Sequence, residues 1–544
     1  MKKLVIVLLA VCLLFVAACA PAATPGPAGP GPAPTPDAPA PVPPPAAPVP
    51  PPAVTVPTVP EPGAQLAEHI DVTIDSGGLA VINPFMPTGN TGASQWTYTL
   101  IYDRLVEELG DGLYGPMLAT SWSTEDYQTF VFNLREDVYF HNGEPFTAED
   151  VAGTIRVALE NLGSIGFERW RTVESWNVID DHTIEITLAS VHLDFLFDIS
   201  APAGGIIHEA SFRANAEEGA WIGTGPFKVT AFSTNDFVTV ERFDDYWGEA
   251  PPTRSMSLRF VPEMATRLVM LQNRESHLCF GISSEDLPIL QADPDFQIIP
   301  LTMNAPNGLG FNMADPLMAD PNFRRAVLHS LNLEEIAMVA AGDGARAPED
   351  GNMWGLITPY RLNNIPRWEQ NLDLAREYLA ASPYAGEPVE ISAGVATNIR
   401  AAEIVQHQLG QVGIDVVINA MDMASWVAYV AYGNNQSQMW INGVTFTLSP
   451  IASVTNIYLP GMGVNRTSFN NPHVTAIIEQ LQGETDADTR RALFTELQEF
   501  ISADPPMVNL FWRIFGIAAV NELGGLQLSP DSFRHNLRGI YMAA

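Results

Sequence analysis

The stretch that most restricts what this chain can fold into is WSTEDYQTFVFNLREDVYFHNGEPFTAEDV, residues 122–151. Phe130, Phe132 and Leu134 alternate with Thr129, Val131, Asn133 and Arg135, the period of two expected of a strand with one buried face. Val138, Tyr139 and Phe140 predict a second short strand, and Asn142-Gly143 carries turn chemistry. Thr147 stands three residues before Asp150, a variant of the capping box that opens a helix. On that helix Val151, Ile155, Ala158, Leu159 and Leu162 share one face. Strand, turn and helix in so short a run describe an α/β chain.

The same run resembles the signature of the family 5 extracellular solute-binding proteins, the oligopeptide- and dipeptide-binding receptors of ABC importers. Trp122, Leu134, Arg135, Val138, Phe140, His141, Asn142, Gly143, Pro145, Thr147, Ala148, Asp150 and Val151 carry the match. His141 and Asp150 look catalytic in isolation; the resemblance implies that they are scaffold. IGTGPFKVTAFSTNDFVTVERFDDYWG, residues 222–248, is similar to a second family motif in the expected order. Asn83-Pro84, Leu309-Gly310-Phe311-Asn312, Arg324-Arg325-Ala326 and GQVGIDVVI at 410–418 resemble further family positions, so the likeness runs over roughly 65–541. It implies an α/β, two-lobe periplasmic-binding-protein-like fold of the large three-subdomain class, with a hinge between the lobes. Residues 64–110, 222–306 and 508–544 would form the core of lobe I, 111–221 a subdomain inserted in it, and 307–507 lobe II.

Local patterns fill in this outline. Ile70, Val72 and Ile74 alternate as a first strand, and residues 95–106 read as a helix. Residues 173–188 read as a hairpin with Asp180-Asp181 at its turn. Gly223, Gly225 and Pro226 turn the chain into a strand, and Asn235-Asp236 turns it back. Residues 260–281 read as strand, helix, strand. Asp320-Pro321 opens a helix as cap and first turn, and Asn332 with Glu335 caps the next. Helices are expected over 371–380, 400–409 and 489–501, the last with Leu493, Leu497 and Phe500 as its buried stripe. Residues 506–520 return as a strand.

Ahead of all this lies a targeting segment and a tether. Lys2 and Lys3 precede an apolar run from Leu4 to Val16, too short for an ordinary spanning helix and arranged as a signal peptide over residues 1–18. Val16-Ala17-Ala18-Cys19 looks like a lipobox, so Cys19 is the expected lipidation site, with a plain secretory signal as the alternative. Acyl chains there would hold the protein on the outer face of the cytoplasmic membrane. Residues 19–63 hold 19 of the 45 prolines and almost no charge. Such a segment cannot bury a core; as an extended tether it could reach on the order of 130 Å. With Cys12 removed and Cys19 acylated, Cys279 alone remains, a buried small hydrophobe rather than half of a disulfide.

The formal net charge of −35 argues against nucleic acid and against docking on anionic lipid, since both need a basic patch. No G-x-S-x-G, H-E-x-x-H, G-x-x-x-x-G-K or G-x-G-x-x-G opening a helix is present, and the histidines have no close metal-ligand spacing. A non-enzymatic receptor without cofactor or metal is therefore expected.

The ligand reading turns on residues 423–478, which contain no Asp or Glu in a chain that has 62 acidic residues. They contain Trp426, Tyr429, Tyr432, Trp440, Phe446 and Tyr458, with Arg466 as the sole full positive charge. The resemblance implies a D-Y-P-D-P-like motif here whose first Asp pairs with a peptide's α-amino group. Instead GVTFTLSP occupies residues 443–450, with Phe446 or Thr447 in place of that Asp. A buried ammonium lacking a carboxylate costs several kcal/mol. Either another acid, Asp422 being nearest in sequence, supplies the charge or the ligand has no free amine there. Asn90, Thr91, Asn312, Trp354, Trp426, Trp440, Asn442, Phe446, Thr447 and Arg466 are the candidate ligand-binding residues, although each aromatic serves equally well as core.

The expected protein is a monomeric, lipid-anchored solute-binding protein that delivers its ligand to an ABC permease and its ATPase. Peptide leads as substrate; an oligosaccharide or other neutral polar solute is the alternative, favoured by the missing Asp. A surface sensor or adhesin on the same fold is the third reading.

Overall fold

The computed structural model describes residues 66–75, 79–89, 92–110, 113–282, 290–356, 358–430, 435–444, 449–462, 465–528 and 535–543. The expected signal, Cys19 and tether lie outside them, as do Asn90, Thr91, Phe446 and Thr447.

Among the described residues one sheet of eleven strands runs through the molecule. From one edge it reads Val416–Ala420, Val389–Ala393, Met439–Gly443, Phe296–Phe311, Met507–Val520, Leu278–Ile282, His69–Ile74, Ser255–Phe260, Phe237–Arg242 and Phe227–Ser233, with Ala345–Arg346 paired to Met507–Val520. The two long central strands pair antiparallel and take part in both halves. Ile299, Ile517, Ala519 and Val520 are buried in a first core with Ile70, Val72 and Leu258. Leu309, Phe311, Val508 and Leu510 are buried in a second with Val389, Ile391 and Ile441. Helices Pro450–Tyr458, Pro472–Leu481 and Ala487–Ala503 build a third core around Trp354, Trp426, Trp440 and Phe494. Apolar runs such as IAAV at the end of Met507–Val520 follow from strands covered on both faces.

The signature forms part of a second, four-stranded sheet in the order Ala119–Ser123, Thr129–Leu134, Thr183–Leu188, Val173–Asp180. Helix Ala148–Glu160 opens with the expected box: Thr147 N–H donates to Asp150 Oδ2 at 2.9 Å, a cap typically worth about 1 kcal/mol. Val151 and Ile155 of that helix and Phe130, Phe132, Ile184 and Ile186 of the sheet share the first core. Caps also form at Asp320, whose carboxylate accepts from Phe323 N–H, and at Asn332, which accepts from Glu335 N–H. Cys279 is a buried free thiol, and burial raises its pKa.

Several local expectations give way to packing. Residues 138–140 form no ladder: Tyr139 makes only a bridge to Pro145, which has no N–H to extend one, while Val138 and Phe140 are buried. The helix expected over 95–106 is Gly92–Ile101, and Val106 begins strand Val106–Gly110. The chain leaves the helix where Gly225 N–H donates to the Ile101 carbonyl and Ile206 N–H to that of Asp103. Helix Ala148–Glu160 ends before Leu162, which is 73% exposed beside Gly163 at φ 81°. Phe500 is likewise exposed, against His473, because Leu493, Phe494, Leu497 and Ile501 form the buried stripe of Ala487–Ala503.

Candidate solute-binding cleft

Strand direction points to a candidate cleft. In the first half, His69–Ile74 runs parallel to Ser255–Phe260 and to Leu278–Ile282, and the carboxyl end of the latter places Ile282 beside Gly516. In the second, Val389–Ala393 runs parallel to Val416–Ala420 and to Met439–Gly443, whose carboxyl end places Gly443 beside Asn307. Both sets of carboxyl ends therefore point at the same part of the two central strands. There the ladder shifts register between Thr302 and Pro306. Ligands of open α/β sheets lie outside the carboxyl ends of the strands, and here two such edges face each other.

Two charged groups stand at this meeting point. Asp75 follows the last residue of His69–Ile74 and lies against Gly281, where a Cβ would collide with its carboxylate. Arg513, on Met507–Val520, packs its guanidinium 5.2 Å from the Phe515 ring. Burial lowers the Arg513 pKa, and the Asp75 charge opposes that shift. Among the described residues neither makes an ion pair at contact distance, and each is an opposite charge felt by the other.

Amides line the second-half edge. Asn307 is buried with its Nδ2 unmatched among the described residues, and its Oδ1 would lie 3.7 Å from a Cβ on Gly443. Asn398 Nδ2 donates to Asn442 Oδ1 at 3.1 Å, leaving Asn398 Oδ1 unmatched among the described residues. Asn304 is buried against Gly355, a close approach that only glycine permits.

Of the residues singled out in the sequence, Asn442 lies on this edge. Asn312 sits beyond the other end of the crossing strand, donating to the Asn435 carbonyl and accepting from Ala314 N–H. Trp426 and Trp440 meet edge to face at 6.1 Å, and Trp354 packs on Phe494 at 5.6 Å, all inside the third core. Arg466 lies over the Trp426 ring at 5.2 Å with its pKa lowered by burial, and its neighbour Thr467 accepts from Met313 N–H near Asn312. Asp422 caps helix Met423–Tyr429, accepting from Ser425 N–H at 3.0 Å. Asp75 and Arg513 belong to no motif. Their only signal in the sequence was their place, one just past the first strand and the other inside the returning one.

Among the described residues no three His, Cys, Asp or Glu side chains are grouped to hold a metal ion. No helix among them is long and apolar enough to cross a membrane.

The sequence profile of bacterial extracellular solute-binding proteins, family 5 (middle), matches residues 114–463, well over half of the chain. The glutathione-binding protein GsiB of Pectobacterium atrosepticum is 25% identical over 438 residues, covering 76% of this chain and 84% of that one. Among solved structures, the ABC transporter substrate-binding protein CtaP of Listeria monocytogenes superposes with a TM-score of 0.77 at 20% identity, over 88% of this chain and 100% of its own. NikA of Brucella suis, in complex with Fe(III)-EDTA, superposes with a TM-score of 0.76 at 22% identity, over 87% of this chain and 99% of its own. Relatives of this kind are receptors of ABC transporters and not enzymes. With two facing sheet edges, a match across its middle and a shared two-lobe fold, this chain belongs to the bacterial extracellular solute-binding proteins of family 5.

Proposed function

We propose that the protein captures a peptide or a related small polar solute between its lobes and hands it, unchanged, to an ABC permease and its ATPase. The observation that carries this reading is the pair of opposite charges, Asp75 and Arg513, without a contact ion pair among the described residues, where the two sheet edges face each other. A peptide-like solute carries an ammonium and a carboxylate, and burying either alone costs several kcal/mol. The acid-free stretch cannot supply the anion, Asp422 serves as a helix cap, and Asp194 already faces Arg490 at 3.4 Å. In this reading Asp75 meets the ammonium and Arg513 the carboxylate. Asn307 and Asn442 add hydrogen bonds, and Asn90, Thr91, Phe446 and Thr447 border the same cleft in this reading.

The amides favour a second reading, an oligosaccharide or other neutral polar solute. Asn307 Nδ2 and Asn398 Oδ1, unmatched among the described residues, suit hydroxyl groups. Thermal-shift measurements with glutathione, di- to pentapeptides, their N-acetylated forms and oligosaccharides separate the two, since a ligand of the folded state raises the midpoint. Free peptides should raise it and N-acetylation should reduce the rise. A rise with sugars alone selects the second reading and overturns the first.

The same proposal includes a monomer anchored through acyl chains on Cys19. Intact-mass analysis of the N-terminal peptide from cell membranes should find the thiol acylated; a free Cys19, or cleavage elsewhere, overturns the anchor.

A further inference from the structure

A carboxylate from the first half reaches into the second at a place the capture reading does not use. Asp194 precedes helix Phe195–Ser200, whose Phe195 is buried in the first core. Its Oδ2 accepts from the N–H of Ile451, in the first turn of Pro450–Tyr458, at 3.3 Å. Its Oδ1 lies 3.4 Å from Arg490 Nη2 on Ala487–Ala503, and the two side chains are 8% and 11% exposed. Burial raises the Asp194 pKa; a hydrogen bond with Ser449 and the Arg490 charge oppose it. Tyr114, from the first half, feels the same carboxylate along with Tyr360, whose ring stacks on Phe494 at 4.6 Å and lies 5.8 Å from the Arg490 guanidinium. Asp198 is turned away, held by His192 at 2.8 Å.

Asp194 arrives just past residues 445–448, where relatives of the expected kind would carry their amine-pairing acid, so it could be the replacement. Charge decides against that. Arg490 and the positive end of the Pro450–Tyr458 helix already offset the carboxylate, and each of its two oxygens already has a partner, Arg490 Nη2 for one and Ile451 N–H for the other.

We propose that Asp194 and Arg490 form a latch between the two lobes, made when the cleft closes and broken when it opens. Outside the two central strands, this pair ties the first core to the third by charge. A buried ion pair gains little net free energy, because desolvation offsets most of the attraction, while each partner returns to water when the lobes part. That balance suits a closure that must reverse for delivery. The latch depends on the two-lobe fold and not on which solute is held, so its test contains no solute.

Hydrogen–deuterium exchange of the full chain reads it directly. Asp194→Asn keeps the shape and an acceptor for Ile451 N–H but removes the charge; Arg490→Gln removes the other. Each should speed exchange of peptides covering residues 195–200 and 450–458 on the order of tenfold, and the double variant no more than either alone. Arg491→Gln should leave both segments as they were. Unchanged exchange, additive effects of the two variants, or a parallel rise in the His69–Ile74 strand would overturn the latch, the last because it marks a pair holding up the whole fold.

Discussion

Arg538 Nη1 lies 2.9 Å from Oδ1 of Asp103, and that carboxylate is wholly buried. Trp247 Nε1 donates to the other oxygen at 2.8 Å, while Arg538 also donates to the carbonyls of Thr99 and Tyr102. The last segment of the chain is thereby tied to the end of the Gly92–Ile101 helix and to the D-Y-W-G run. Removing the cation strands a buried anion. Arg538→Met should lower stability by about 3–5 kcal/mol in denaturant titration, and the double variant with Asp103→Leu should recover much of that loss. Equal or additive losses would mean that the pair is not coupled.

Gly310 pairs with Trp440 across the two strands of the second half, and a Cβ on Gly310 would fall within the indole. Gly310→Ala must push the ring into the packed third core, at about 1–3 kcal/mol. The unfolding midpoint should drop, and Trp440→Leu in the same chain should relieve part of the drop by making room. A Gly310→Ala variant as stable as its parent would show that the ring has space to yield.

What could be read from the sequence was local. Phe130 and Phe132 alternate within one strand, Thr147 and Asp150 are three residues apart, and Asp320 caps the turn that follows it, so neighbouring residues alone fix those features. Leu162 and Phe500 each missed the buried stripe because a helix ended early or the stripe lay one residue over. The end of the Gly92–Ile101 helix is set by the N–H of Gly225, far along the chain. The candidate cleft was harder still, since it is defined only through the pairings Ile282 with Gly516 and Asn307 with Gly443. Composition picked out Trp426 and Trp440 but cannot say which side of a strand or helix faces solvent, and both face the core.

Two buried histidines set an acid limit. His535 is 2% exposed between the rings of Trp96 and Phe280, and burial lowers its pKa to about 4. Burial does the same to His141, to about 4. An unfolded histidine titrates near ~6.5, so as pH falls the unfolded chain takes its proton first. The stability from each neutral ring is complete above that value, falls between there and about 4, and is fully lost below, a change of about 3 kcal/mol per group. Asp150 and Asp194, whose pKa values burial raises, work in the opposite direction. Urea titrations at neutral pH and at mildly acidic pH should thus show a smaller loss for His535→Gln than for the parent. Equal losses would place the ring in water.

Asp75 and Arg513 give the capture reading its sharpest consequence. Neither supports the fold through an ion pair among the described residues, so Asp75→Asn and Arg513→Gln should shift stability by no more than about 0.5 kcal/mol. A solute bound through both charges should lose roughly tenfold or more in affinity with either variant, because a charged hydrogen bond is worth about 1.5–3 kcal/mol. Calorimetric titration with whichever peptide gives the largest thermal shift measures this. The N-acetylated form of that peptide adds a control: it lacks the ammonium, so Asp75→Asn should not weaken it further, while Arg513→Gln should. If both variants bind the free peptide as the parent does, the charges at the meeting of the two sheet edges serve something other than the solute.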